Sequence, residues 1–312
     1  MVRDLHQLRL MEAARVRGIE VQDLAPQLGL DVVAYSQDDR TARVRSGRVF
    51  PHLNAVAERL CDDKHATKAV LSSVGVPVPG GRPFQRLTEV EDLLDGRALW
   101  VLKPRIGTHG DGVRMGLRTR QEVAAALHPP LGPDWLLEEQ IEGADLRIQA
   151  IGGRLVAACR REPARVVGDG HSTVEALVAA ERERVRAANP QNDLSVDTEA
   201  LALLAAEGLD LYSVPAKGQV VWLRRTANMA TGGRAVDLTP SLHPGWATLT
   251  QWVAEALDIS VFAIDAVTPD PEGPPRLGAV IEVNARPEWL HHSFASAGGH
   301  DIAGLLLDDL FS

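Results

Sequence analysis

Cysteine is almost absent from this chain. Cys61 and Cys159 are the only two among 312 residues, and they form no CxxC pair. Neither a disulfide framework nor a cysteine zinc site is therefore indicated. A basic surplus is missing too. The formal net charge of −9 argues against a nucleic-acid partner, which normally requires a basic face. No run approaches the ~18 consecutive apolar residues of a membrane span. The N-terminus, Met-Val-Arg-Asp-Leu-His-Gln-Leu-Arg-Leu, holds no long apolar core of the secretory kind. It is rich in arginine, but Asp4 and Glu12 do not suit a transit peptide. These absences set the expectation of a cytoplasmic protein with no nucleic-acid and no membrane partner.

What is present is an ordinary globular composition, 45% hydrophobic and 24% charged. The length allows a substantial core divided into two or more lobes. Alternation over residues 279–286 reads as a half-buried strand. Ile281 and Val283 share one face, Glu282 and Asn284 the other. A carboxylate and an amide oxygen side by side can hold a hard cation such as Mg²⁺. Residues 260–267 read as a second strand, and the segment between them is dense in proline, glycine and aspartate. A hairpin centred near Gly273 would set Asp265 opposite Glu282. Like charges so placed destabilise the pair unless something neutralises them, and bound cations would do that. Taken alone, the segment fits a solvated outer face equally well.

Along the chain, residues 1–61 read as a small α/β unit without a phosphate loop. A helical stripe of Leu5, Leu8, Met11 and Val16 ends at Gly18, and short strands follow at 18–21 and 30–35. Residues 61–71 read as a helix start with acidic residues at its N-terminal dipole. Lys64 by itself is a surface lysine. An apolar strand at 98–103 ends in Lys103, followed by a loop containing Gly107, Thr108, His109, Gly110 and Gly112 and a strand at 113–117. Glycines let backbone amides approach a phosphate. The strand–loop–strand context, without Gly-Lys-Ser/Thr or a following helix, excludes a P-loop and a dinucleotide fingerprint. A plain flexible turn is the alternative.

Glu138, Glu139 and Ile141 lie in an apolar-to-acidic segment, with Asp145 shortly after. Such a linker can offer backbone groups to an adenine edge and a carboxylate to ribose hydroxyls, or it is a solvated acidic loop. Strands at 146–151 and 155–159 lead to Arg161. Helical runs at 173–188 and 194–208 show no chemistry, their charges forming a solvated face. A strand at 220–225 opens a turn holding Arg224, Arg225, Asn228, Gly232 and Gly233. Arginine suits multi-oxygen contacts, so this is an anion site or a polar turn at a sheet edge. Helices at 244–257 and 302–310 complete the reading.

Together these signals resemble the ATP-grasp ligases, and within them the ATP-grasp portions of cyanophycin synthetase and bifunctional glutathione synthetase. The matches are Val166-Val-Gly-Asp-Gly170 with Thr173-Val-Glu-Ala-Leu177, Leu223-Arg-Arg-Thr-Ala-Asn228-Met-Ala-Thr-Gly-Gly233 with Asp237-Leu-Thr239, and Ile281-Glu-Val-Asn284. The resemblance runs from about residue 62 to the end. It implies an α+β ATP-grasp fold, two α+β subdomains clasping ATP, behind a short α/β N-terminal unit. Residues 62–134 would be the subdomain with the glycine-rich loop. Residues 135–312 would be the subdomain with the metal site and an insertion at 165–212.

The resemblance also implies roles. Lys64 and Lys103 would contact ATP, with Gly107, Thr108, His109, Gly110 and Gly112 forming a mobile loop over its phosphates. Glu138, Glu139 and Ile141 would line the adenine hinge, and Asp145 would hold the ribose. Arg224 and Asn228 would sit at the γ-phosphate and the activated acyl group. Asp265, Glu282 and Asn284 would bind two Mg²⁺, while Arg147 and Arg161 would anchor a substrate carboxylate. The implied activity is ATP-dependent ligation of a carboxylate to an amine through an acyl phosphate, on amino acids or small peptides, by a homo-oligomer. Rival readings are a ligase acting on a protein terminus and a non-catalytic nucleotide-binding module. The sequence departs from the family after Asn284, where Arg286-Pro-Glu-Trp289 replaces the usual Pro-Gly. Glu288 and Trp289 are accordingly expected to border the acceptor pocket and set specificity. The leading unit is short and neither relative's second catalytic module is present, so a complete synthetase is not expected.

Overall fold

A computed structural model describes residues 3–107, 112–127, 134–188, 192–294 and 299–312. Its contacts divide the chain into two compact units. The first comprises Met1–Ala158, Thr239–Trp289 and Asp301–Ser312; the second comprises Cys159–Leu238 and Leu290–His300. Among the described residues no helix is long and apolar enough to cross a membrane.

The first unit opens with α1 (Leu5–Val16), whose N-cap Asp4 accepts from the His6 N–H. The helix has its expected span but a different buried face. Leu8 and Val16 are exposed, while His6, Gln7, Leu10, Met11 and Ala14 are buried. Two polar side chains can face inward because both find partners. Gln7 donates to the Tyr35 hydroxyl at 2.8 Å and accepts from the Gly47 N–H. β1 (Glu20–Asp23), a short α2 (Ala25–Leu28), β2 (Val32–Gln37) and β3 (Arg40–Arg45) follow, the strands forming an antiparallel β1-β2-β3 sheet. β3 was not expected from its polar sequence; only Ala42 and Val44 turn inward.

The chain continues through α3 (Ala55–Asp62) and α4 (Lys64–Ser73). Asp63 separates them and caps α4, its carboxylate accepting from the His65 and Ala66 N–H groups. β4 (Gly81–Phe84), β5 (Trp100–Pro104), β6 (Arg114–Leu117), α5 (Arg120–Ala126) and β7 (Trp135–Glu139) come next. The strands form an antiparallel sheet in the order β4-β7-β5-β6, so the expected glycine-rich hairpin is present as β5 and β6. Phe84, Trp100, Leu102, Val123, Trp135 and Leu137 pack its core. β8 (Ala144–Ile151) then leads into β9 (Arg154–Glu162).

The second unit takes up the end of β9 and adds β10 (Arg165–Val167), α6 (Val174–Ala188), α7 (Thr198–Ala206), β11 (Val220–Trp222) and β12 (Arg234–Asp237). β10 pairs with β11, and β12 pairs with Cys159 to Glu162 of β9, both antiparallel. Ala164, Val166, Val174, Val178, Leu194, Leu204, Val221 and Leu223 form its core.

Back in the first unit, α8 (Gly245–Leu257) precedes β13 (Phe262–Thr268) and β14 (Ala279–Asn284). β9, β8, β13 and β14 are successive neighbours in one sheet. The β13–β14 register pairs Asp265 with Glu282, as the turn-rich connection led us to expect. A short α9 (Leu290–Ser293) belongs to the second unit, and α10 (Ile302–Phe311) closes the first.

Candidate active site

Strand register builds the centre of the site. Arg147 on β8 pairs with Asp265 on β13, which pairs with Glu282 on β14. The three side chains form a row across one sheet face, because residues directly opposite project to the same side. Arg147 is buried at 4% exposure, and its Nη1 donates to both Asp265 oxygens at 2.9 and 3.0 Å. Asn284, two residues beyond Glu282, donates its Nδ2 to Asp265 Oδ2 at 3.2 Å. Burial pushes the Glu282 carboxyl above its usual range, and the neighbouring Asp265 charge adds to this; Lys64, Lys103 and Arg147 oppose it. Among the described residues the ion-pair partner of Glu282 is Lys64, whose Nζ stands 4.0 Å away.

Helix α4 brings the lysines. Lys64 and Lys68 stand one turn apart and so share a face. Lys64 Nζ donates to the Gly107 carbonyl at 2.5 Å, and its backbone N–H donates to the Arg105 carbonyl at 3.1 Å. The Arg105 guanidinium grips the Asp63 carboxylate, with distances from 2.6 to 3.0 Å. The first residues of the glycine-rich loop are thus tied to the start of α4. Lys68 forms an ion pair with Glu138, and Lys103 forms a second with the same carboxylate. All three side chains are buried. Burial, reinforced by the Lys103 charge, pushes the Lys68 ammonium down to about 7, although Glu138 opposes the shift.

Lys68 escaped the sequence reading. Its one signal was the i,i+4 spacing from Lys64, which on an isolated helix describes a solvated face. Glu138, expected at an adenine hinge, commits its carboxylate to the two lysines. Glu139 is exposed, and its N–H donates to the Gly80 carbonyl at 2.8 Å; Ile141 and Asp145 are half-buried. Gly107 and Gly112 flank the loop, while Thr108, His109 and Gly110 lie outside the described residues.

Trp289 departs from expectation, and Glu288 beside it is half-buried. Trp289 is fully buried, its Nε1 donates to the Gly47 carbonyl at 2.9 Å, and its ring meets His6 edge-on at 5.0 Å. It is a packing residue. His6 lies between two carboxylates, with Nδ1 2.6 Å from Asp4 Oδ1 and Nε2 2.6 Å from Glu288 Oε1. The turn at Gly47 has φ +63 and comes so near that a Cβ there would lie 2.4 Å from the His6 carbonyl carbon. Close approach of backbone, histidine and indole is what turns both residues toward the N-terminal helix.

In the second unit, Arg224 is buried. It donates to the Leu223 carbonyl at 2.8 Å and the Ser195 carbonyl at 2.9 Å, and it pairs with Asp197 at 3.1 Å. The Asn228 carbonyl accepts from the Gly233 N–H at 2.9 Å, closing the expected turn. Arg161 is half-buried on β9 opposite Ala235 of β12.

Among the described residues no group of three or more His, Cys, Asp or Glu side chains is placed to hold a metal ion. Asp265, Glu282 and Asn284 instead offer two carboxylates and an amide. This all-oxygen set fits Mg²⁺, which takes few protein ligands and completes its shell with water and phosphate oxygens. The raised Glu282 carboxyl fits as well, since a cation would supply the charge it lacks.

No family model matches the chain. It is 35% identical over 269 residues to a cyanophycin synthetase of Crocosphaera subtropica, covering 82% of this chain and 31% of that protein. A solved bifunctional glutathione synthetase from Pasteurella multocida superposes with a TM-score of 0.77 at 25% identity, over 99% of this chain and 44% of the synthetase. The ATP-grasp ligase PsnB, solved with a minimal precursor, shares the fold with a TM-score of 0.51 at 16% identity, over 83% of this chain and 62% of the ligase. The chain thus spans less than half the length of the first two proteins. Fold and sequence agree, and the chain belongs to the ATP-grasp superfamily.

Proposed function

We propose that the chain is an ATP-dependent carboxylate–amine ligase that joins amino acids or small peptides through an acyl phosphate, releasing ADP and phosphate. The observation that carries this reading is the two-lysine face of α4. Lys68 reaches the Glu138–Lys103 pair, and Lys64 reaches both the start of the glycine-rich loop and the neighbourhood of Glu282. One helix thereby links a buried cationic cluster to the oxygen groups of Asp265, Glu282 and Asn284. A nucleotide polyphosphate and its metal ion require such a pairing.

In this reading Lys68 and Lys103 bind phosphate oxygens, and the single Glu138 carboxylate keeps both ammonium groups aligned when no nucleotide is present. Lys64 anchors the start of the loop at Gly107, and the resemblance implies that the loop would cover the phosphates and exclude water. Asp265, Glu282 and Asn284 would hold Mg²⁺, which would supply charge neutralisation during phosphoryl transfer. The substrate carboxylate attacks the γ-phosphorus and ADP leaves. The amine then attacks the acyl carbon, forming the C–N bond and expelling phosphate. By resemblance, Glu139, Ile141 and Asp145 serve the adenine and ribose, Arg161 the substrate carboxylate, and Arg224 and Asn228 the transferring phosphoryl group. The test is incubation of purified protein with Mg·ATP and amino-acid mixtures, with condensed products read by mass spectrometry. ADP release matched by an amide product supports the proposal; no ADP from any mixture overturns it.

A further inference from the structure

We infer that Arg147 is a positioning residue for the carboxylate of Asp265, acting on the metal site through that carboxylate. The inference rests on the metal-binding role proposed above for Asp265, Glu282 and Asn284. Four observations carry it. Arg147 and Asp265 are directly paired on neighbouring strands. A single guanidinium nitrogen, Nη1, reaches both carboxylate oxygens at 2.9 and 3.0 Å. Arg147 is almost completely buried, which holds its guanidinium against the Asp265 carboxylate. Two residues along the same face of β8, the fully buried Gln149 donates to the Phe262 carbonyl at 3.0 Å. This bond ties β8 to β13 beside the arginine.

The physical need is clear from the row itself. Asp265 and Glu282 stand opposite each other, and two carboxylates so placed repel. Without a restraint Asp265 would rotate away from Glu282, and a cation would have to reassemble the pair as it bound. Arg147 supplies that restraint from one side, and the Asn284 amide supplies it from the other. Partners that orient metal-binding carboxylates in this way typically change metal affinity by roughly 10–100-fold when altered. Lysine keeps the charge of arginine but lacks the rigid guanidinium plane that aims Nη1, so it should restore the effect only in part.

The test is Mn²⁺ binding by electron paramagnetic resonance on the full chain with ADP present. Arg147→Lys, Arg147→Gln, Asp265→Asn and Glu282→Gln are compared with the wild type. We expect Asp265→Asn and Glu282→Gln to lose Mn²⁺ binding. Arg147→Gln should weaken it by about 10-fold or more, with Arg147→Lys in between. ADP affinity in EDTA should be unchanged in both arginine variants. If Arg147→Gln does not fold, the Arg147→Lys measurement decides alone. Unchanged or tighter Mn²⁺ binding in the arginine variants overturns the inference while leaving the metal reading intact. Mn²⁺ binding that survives in both Asp265→Asn and Glu282→Gln, or is absent from the wild type, overturns the metal reading and this inference with it.

Discussion

Lys68 and Lys103 share one buried carboxylate, that of Glu138. Two ammonium groups held by a single counter-charge form an arrangement short of negative charge. Removing the carboxylate leaves buried positive charge without its partner, which costs about 3–5 kcal/mol. Glu138→Gln is therefore expected to lose roughly that much stability in urea denaturation. Lys68→Met leaves a matched Lys103–Glu138 pair and should lose far less, or gain. Equal losses for the two substitutions would contradict the three-member cluster.

The same cluster makes nucleotide binding depend on pH. The Lys68 ammonium sits at about 7, well below the usual lysine range, because it is buried and faces Lys103. The charged form binds phosphate. ADP affinity should be greatest below pH 7 and fall as pH rises through that value, with a weaker dependence in Lys68→Met. Calorimetric titration of ADP from pH 6 to 8.5 checks this. A wild-type profile identical to that of Lys68→Met would remove Lys68 from the phosphate site.

Trp289 should matter for stability before it matters for substrate choice. It is fully buried and hydrogen-bonded to the Gly47 carbonyl. Trp289→Ala opens a large cavity, an effect of about 3–5 kcal/mol. Urea denaturation should show this loss, with substrate KM unchanged in the protein that remains folded. An altered substrate preference at unchanged stability would restore the specificity role that its sequence position suggested.

His6 adds a pH term to stability. Burial disfavours its charged ring, but the Asp4 and Glu288 hydrogen bonds outweigh burial and raise its pKa above 6.5. Its contribution is therefore complete below the unfolded value and is lost as pH rises through the raised folded one. Asp4 behaves in the opposite sense. Burial works against its charge, yet the His6 contact draws it down to about 2, so its contribution is present above 3.8 and lost as pH falls toward 2. His6→Gln should flatten the decline that begins as pH rises above 6.5 in thermal melts. A parallel decline in both proteins would assign it elsewhere.

What could be read from the sequence followed local periodicity. The Asp265–Glu282 pairing was legible because alternation fixes which face each residue takes and a turn-rich connection fixes the register. The β5–β6 hairpin and most helices were legible for the same kind of reason. Lys68 was not, since a lysine on a helix reads as surface until a distant carboxylate, Glu138, meets it. The buried face of α1 was misread because His6 and Gln7 turn inward only where partners from residues 35, 47 and 288 arrive. Glu288 and Trp289 stood out by breaking a family pattern. Their place is set by the Gly47 turn, which no local sequence signal connects to them.

The central claim is that a substrate carboxylate is activated by direct attack on the γ-phosphate. The most direct measurement is ¹⁸O transfer from a carboxylate-labelled substrate during turnover with Mg·ATP. Attack by the carboxylate places one labelled oxygen on phosphorus, and departure of phosphate carries it away. The account predicts one ¹⁸O in each phosphate released, with ADP as the other nucleotide product and no label transfer in Glu282→Gln. Unlabelled phosphate accompanying amide formation, or release of AMP in place of ADP, would contradict it.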